Sequence, residues 1–171
     1  MLWLLEQGHP VVGIEFSQIA VEYFFEENRL MPAVHEERYG RRYVVDQFEL
    51  LCADFFSLVQ ADIGAVNAFY DRAALIALTP AQRPGYAAQL TKLLGHGTSG
   101  LLVTLEYNQS EMNGPPFSVP REEVYRLFAE AFTLEPLLQF DALEENQAFR
   151  EKGLTQLYEQ ALHLVRKQDV E

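Results

Sequence analysis

Three side chains that close apolar runs are the residues in this sequence best placed to do chemistry. Glu15 ends Val11-Val12-Gly13-Ile14, Asp54 follows Phe48-Glu49-Leu50-Leu51-Cys52-Ala53 with Phe55 beside it, and Arg72 follows the run from Ala65 to Asp71. A carboxylate at the end of a buried strand can accept both hydroxyls of a ribose. It can equally be a solvated residue that favours the dipole of the helix behind it. Asp54 can accept from an adenine amino group while Phe55 covers a ring face; the plainer alternative is a turn aspartate next to a core phenylalanine. Arg72 can hold a carboxylate or an anionic substrate through its planar fork of donors. A surface pair between Asp71 and Arg72 would be worth little, and neighbours on a strand point to opposite faces, which disfavours that pair.

A fourth candidate is the loop Gly114-Pro115-Pro116-Phe117-Ser118-Val119-Pro120. Its prolines stiffen the backbone and would place Phe117 at low entropic cost. It can wall a substrate pocket or be an ordinary connection. Other chemistries find no support. His9, His35, His96 and His163 are far apart and lack metal-ligand spacing, so no metal is expected. Cys52 lies inside an apolar run without a nearby histidine to activate it and reads as a core residue. There is no Gly-x-Ser-x-Gly elbow and no P-loop.

The elements that must carry these residues alternate along the chain. Val11–Glu15 reads as a buried strand, and Ser17 as the N-cap of a helix over Gln18–Asn28, with Ala20, Phe24 and Ile19, Tyr23 as its expected buried face. His35–Gln47 reads as a hairpin around Gly40, Phe48–Ala53 and Ala65–Asp71 as strands, and Pro80–Leu94 as a helix stopped by Gly95. Strands are expected at Ser99–Tyr107 and Phe132–Phe140, and helices at Arg121–Glu130 and Glu144–Lys152; Tyr158–Arg166 alternates weakly and fits either strand or helix, of which strand is taken. Alternating strands and helices predict an α/β fold with a largely parallel sheet covered on both faces. Ligands of such sheets bind beyond the carboxyl ends of the strands, where Glu15, Asp54, Arg72 and the loop after Tyr107 all fall.

The chain has 171 residues and a formal charge of −12, with about half its residues hydrophobic. It is long enough to bury a core, and a single domain over 1–171 is expected. The acidic balance argues against nucleic acid, because the longest basic cluster, Arg38–Arg42, sits beside Glu36 and Glu37. No apolar run reaches membrane-spanning length, and no membrane association is expected. A lone cysteine fits a cytoplasmic protein.

Several segments, in this order, resemble the thiopurine S-methyltransferase family. They are Trp3-Leu4 with Gly8-His9, Val11–Glu15, Phe24-Phe25, Cys52-Ala53-Asp54-Phe55-Phe56, Tyr70 to Leu78, and Gly114 to Pro120. The resemblance covers essentially the whole chain and looks closest to the bacterial members, some of which also methylate selenium or tellurium compounds. It implies a class I methyltransferase (Rossmann-like) sheet with its last strand antiparallel, and S-adenosylmethionine (SAM) as methyl donor. It implies that Glu15 holds the ribose, that Asp54 and Phe55 lie against the adenine, and that Arg72 serves the methionine or acceptor side, where it steadies an anionic acceptor or relays its proton. Pro115, Pro116 and Phe117 would wall the substrate pocket, with Arg150 as a further approach to the acceptor. The implied acceptors are aromatic and heterocyclic thiols. Full-length relatives are expected to be monomers.

Against that family the chain is expected to be N-terminally truncated, without the first strand and its glycine-rich loop, with Met1 matching a position inside the following helix. Loss of a strand between those at Val11 and Ala65 would leave two ladder edges unpaired, and self-association would be the expected remedy. Two other readings stand beside the enzyme. One is a truncated, inactive family member or interaction module; the other is an NAD-type Rossmann protein, because Glu15 suits any ribose.

Overall fold

The computed structural model describes residues 1–168. Among them the chain forms two compact units, one spanning Met1–Gly64 and the other beginning at Ala65. Residues 169–171, the end of the expected domain, lie outside the described residues.

In the first unit, α1 (Leu2–Glu6) leads into β1 (Val11–Glu15), followed by α2 (Gln18–Glu27), β2 (Ala33–Glu37), β3 (Gly40–Val45), β4 (Phe48–Ala53) and the short α3 (Gln60–Ile63). The four strands form a mixed sheet in the order β1-β4-β3-β2. β1 runs parallel to β4 with Glu15 opposite Cys52, and β2, β3 and β4 form an antiparallel meander. The expected hairpin is therefore present, with its turn at Arg38–Tyr39. Gly40 opens β3 at φ +137°, and a Cβ there would stand 2.2 Å from the Cys52 carbonyl oxygen, so only glycine fits.

Ser17 caps α2 as expected, its hydroxyl accepting from the amide of Ala20 at 3.3 Å. The buried face differs from the expected one. Val21 and Phe25 are buried, Phe24 is half-buried, and Ile19 and Tyr23 are 80% and 62% exposed. The helix is apolar on several sides, so spacing alone does not choose a face. The sheet chooses it: Phe25 stacks on Tyr43 at 5.6 Å and lies 5.9 Å from Phe48, which packs Val21 and Phe25 over the strands.

The second unit contains β5 (Ala68–Asp71), α4 (Ala74–Ala77), α5 (Arg83–Leu93), β6 (Ser99–Glu106), α6 (Arg121–Phe128), β7 (Phe132–Asp141), α7 (Gln147–Glu151) and β8 (Tyr158–Arg166). Its sheet order is β5-β6-β8-β7. β5 is parallel to β6, and β8, the last strand, lies antiparallel between β6 and β7 as anticipated. The helix expected from Pro80 starts instead at Arg83. Residues 80–82 form a turn closed by the Gln82 amide on the Thr79 carbonyl at 2.9 Å, while the Gln82 side chain accepts from the Thr79 amide and hydroxyl. Pro84 then occupies the first helical turn, where its missing N–H does no harm.

This topology decides what meets at one end of the second unit. Because β8 is antiparallel, its first residues lie beside the last residues of β6: Leu105 pairs with Glu159 and Glu106 with Tyr158. β7 ends there too, with Asp141 opposite Tyr158. The end of β5, the end of β6, the start of β8 and the segment after β7 therefore share one rim.

Candidate active site

The first unit supplies a carboxylate and an aromatic at the ends of its two parallel strands. Glu15 closes β1, and its Oε1 accepts from the Ser17 amide at 2.7 Å, which fixes the side chain across the start of α2. Among the described residues its Oε2 carries no hydrogen bond and is open to a donor from outside. Asp54 follows β4 and caps the 3-10 turn Phe55–Ser57, its Oδ1 accepting from the Phe56 amide at 2.9 Å. Phe55 is half-buried and meets Phe56 edge-on at 5.7 Å. Parallel pairing of β1 with β4 brings Glu15, Asp54 and Phe55 to the same edge of this sheet. Cys52 beside them is half-buried and packs against the core cluster of this unit, and burial raises its thiol pKa, with the nearby Arg41 opposing that shift.

The second unit builds a small cavity of about 140 Å³ at its rim. Arg72, Asn146 and Glu159 supply the polar lining; Ile76, Val103, Leu105, Phe149 and Leu157 supply the apolar walls. Asp71 and Arg72 diverge as expected of strand neighbours. Asp71 turns inward, accepting from the Ala74 and Leu75 amides at 3.1 and 3.4 Å and from the Tyr86 hydroxyl at 2.8 Å. Burial raises the Asp71 carboxyl pKa, and these hydrogen bonds pull it back in part. Arg72 turns outward and faces Glu159, its Nη2 standing 3.9 Å from Oε2.

The loop from Gly114 to Pro120 sits behind the cavity. Pro115, Pro116 and Phe117 do not line it. The Phe117 amide donates to the carbonyl of Ile76, a lining residue, at 2.6 Å, and the Pro116 carbonyl accepts from the Tyr107 hydroxyl at 2.7 Å. Arg83, 1% exposed, stands 6.0 Å above the Phe117 ring, bonds Glu123 of α6 at 2.8 Å, and donates from Nε to the Leu78 carbonyl at 3.1 Å. Its Nη2 is buried without a hydrogen-bond partner. Glu111 also ties this end together, accepting from the Thr155 amide and hydroxyl, both at 2.9 Å.

Sequence reasoning named Arg72 but missed Glu159, Asn146 and Phe149. Arg150 is exposed and does not line the cavity, whereas Asn146 and Phe149 of the same stretch do. The available signal for Glu159 was the expected antiparallel last strand, which brings its own beginning to the rim. Among the described residues no group of three or more His, Cys, Asp or Glu is placed to hold a metal, and no helix is long and apolar enough to cross a membrane.

The family profile described as Thiopurine S-methyltransferase (TPMT) matches residues 1–167. The chain is 48% identical over 164 residues to the thiopurine S-methyltransferase of Pseudomonas fluorescens strain Pf0-1, covering 96% of this chain and 75% of that protein. Its fold is similar to a SAM-dependent methyltransferase from Methanosarcina mazei, with a TM-score of 0.62 at 13% identity, covering 98% of this chain and 87% of that one. It is also similar to the 1,6-didemethyltoxoflavin-N1-methyltransferase of Burkholderia thailandensis, whose structure holds S-adenosylhomocysteine; the TM-score is 0.57 at 16% identity, covering 98% of this chain and 65% of that one. The chain therefore belongs to the thiopurine S-methyltransferase family of SAM-dependent methyltransferases and has the class I methyltransferase fold.

Proposed function

We propose that this protein transfers a methyl group from SAM to the sulfur of a small aromatic or heterocyclic thiol, with selenium or tellurium compounds as related acceptors, and that both units serve one cytoplasmic methyltransferase domain over 1–171. The observation that carries the reading is the cavity pairing Arg72 with apolar walls at the strand ends of the second unit. At about 140 Å³ it approaches the roughly 150 Å³ of an apolar cavity that takes up benzene. One aromatic ring is the natural occupant, with its sulfur toward the guanidinium.

The first unit fits the donor. Glu15 has one oxygen fixed by the Ser17 amide and the other open, which suits paired ribose hydroxyls. Phe55 offers a ring face for adenine and Asp54 an acceptor for its amino group. When bound, SAM supplies a methyl group already activated by its sulfonium. What remains for the chain is to bind and orient. Arg72 holds the acceptor as its thiolate, a charge that the apolar walls would otherwise oppose. Ile76, Val103, Leu105 and Leu157 keep water from the sulfur. The loop at Pro115–Phe117 backs this wall through its hydrogen bond to Ile76.

The test incubates the purified protein with SAM and 6-mercaptopurine and detects the methylated thiol by mass spectrometry, with calorimetric titration of SAM alongside. Thiol methylation is expected, and Glu15→Gln should weaken SAM binding about tenfold, the value of one charge-assisted hydrogen bond. Absence of both methylated thiol and SAM binding overturns the reading, and binding of NAD in place of SAM would favour a dinucleotide-binding protein.

A further inference from the structure

We infer that Glu159 is a built-in counter-ion for Arg72 and sets the charge preference of the acceptor cavity, favouring ring thiols whose only charge is carried by sulfur. The inference rests on the cavity being the acceptor site. Both residues line it, with Nη2 of Arg72 3.9 Å from Oε2 of Glu159. The two are held differently. Glu159 is fixed by its register in β8 opposite Leu105, and its side chain is 29% exposed; that of Arg72 is 65% exposed. At 3.9 Å the contact is an ion pair without a hydrogen bond. Among the described residues the Arg72 guanidinium makes no hydrogen bond, so its donors remain available to a ligand while Glu159 balances its charge.

With Asn146 as the remaining polar lining group, this pole carries one cation and one anion. A thiolate on a neutral ring engages the uncommitted donors of Arg72 and takes this pole to one net negative charge. A ring that also bears a carboxylate adds a second uncompensated anion to a cavity of about 140 Å³ that already holds Glu159, and like charges confined in so small, partly desolvated a site repel. Discrimination thus comes from a repulsive element as well as an attractive one. Glu159 acts on the acceptor's affinity through charge and contributes no bond to the transferred group.

The experiment compares thiophenol with 4-mercaptobenzoate as acceptors for the full chain with SAM. The readout is the ratio of kcat/KM, carboxylated over neutral, together with the calorimetric Kd of 4-mercaptobenzoate in the absence of SAM. Glu159→Gln, which keeps the shape, should raise that ratio about tenfold and tighten 4-mercaptobenzoate to match, whereas Glu159→Asp should keep the ratio low. A second measurement needs no variant: raising the ionic strength from about 0.01 M to 1 M shortens the screening length from roughly 30 Å to 3 Å, and the wild-type ratio should climb. Methylation of both thiols with a ratio that moves with neither Glu159→Gln nor salt overturns this inference and leaves the acceptor-site reading standing. Methylation of neither thiol overturns both.

Discussion

The hydroxyl of Tyr86 on α5 donates a 2.8 Å hydrogen bond to Oδ2 of Asp71 at the end of β5, and both side chains are buried. Asp71 spends its other oxygen on the amides of Ala74 and Leu75, so one carboxylate fixes the strand end, the start of α4 and the neighbouring helix. Arg72 is the next residue, and its position depends on this anchor.

Tyr86→Phe should therefore cost about 1–3 kcal/mol, the penalty for a buried acceptor left without its donor. Urea unfolding measures it. Burial already raises the Asp71 pKa above its unfolded value, so its proton linkage favours the folded state at low pH and is lost as pH rises through the folded value. Removing the Tyr86 donor, which stabilises the ionised form, raises that value further. The deficit of Tyr86→Phe should then be smallest in acid and grow as pH rises above the ordinary carboxylate range.

Arg83, whose side chain is buried, and Glu123, whose side chain is 13% exposed, form an ion pair in the second unit at 2.8 Å. Arg83→Met leaves Glu123 with the 3.7 Å contact to Arg126 and frees the Leu78 carbonyl, and should destabilise by about 1–3 kcal/mol. The double variant Arg83→Met with Glu123→Leu should recover part of the loss, because no partly buried carboxylate is left without Arg83. Denaturant midpoints for wild type, both singles and the double complete the cycle. Purely additive losses would show that the two charges are not coupled.

Glu111 has a pKa lowered chiefly by the Thr155 amide, then by the Thr155 hydroxyl. A lowered folded pKa means its contribution is fully present above the unfolded value, about 4.3. It is lost as pH falls through the lower folded value. The Thr155 amide should accordingly lose hydrogen-exchange protection below the normal glutamate range. Glu111→Gln should remove most of that acid sensitivity, and an unchanged acid profile in the variant would count against the tie.

Much of this architecture was readable in advance because its strands are apolar runs with abrupt ends. Val11–Glu15 and Phe48–Ala53 were placed to the residue, whereas Tyr158–Arg166 alternates too weakly to separate strand from helix until its pairing with Ser99–Glu106 is seen. The face of α2 was not readable, since Ile19, Val21, Tyr23 and Phe25 are all apolar and only Tyr43 and Phe48 decide which turn inward. The cavity was half readable. Arg72 stood out at a strand end, while Asn146 and Phe149 lie in a polar stretch without periodicity and gain meaning only beside Leu157 and Glu159. The role of Arg83 was hidden for the same reason: nothing local tells a surface arginine from one enclosed by Leu78, Phe117 and Glu123.

The interior place of β8 has a consequence for biosynthesis. β7 leaves the ribosome before the strand that joins it to the sheet, so a nascent chain ending at Asp141 has β7 with no ladder partner and β6 with one open edge. Such edges are sticky, and closing them needs the long-range pairing of Ser99 with Val165, a slow kind of contact to form. Glu159 arrives after β5, β6 and β7, and the cavity it lines with Arg72 and Leu105 forms only once β8 has been made.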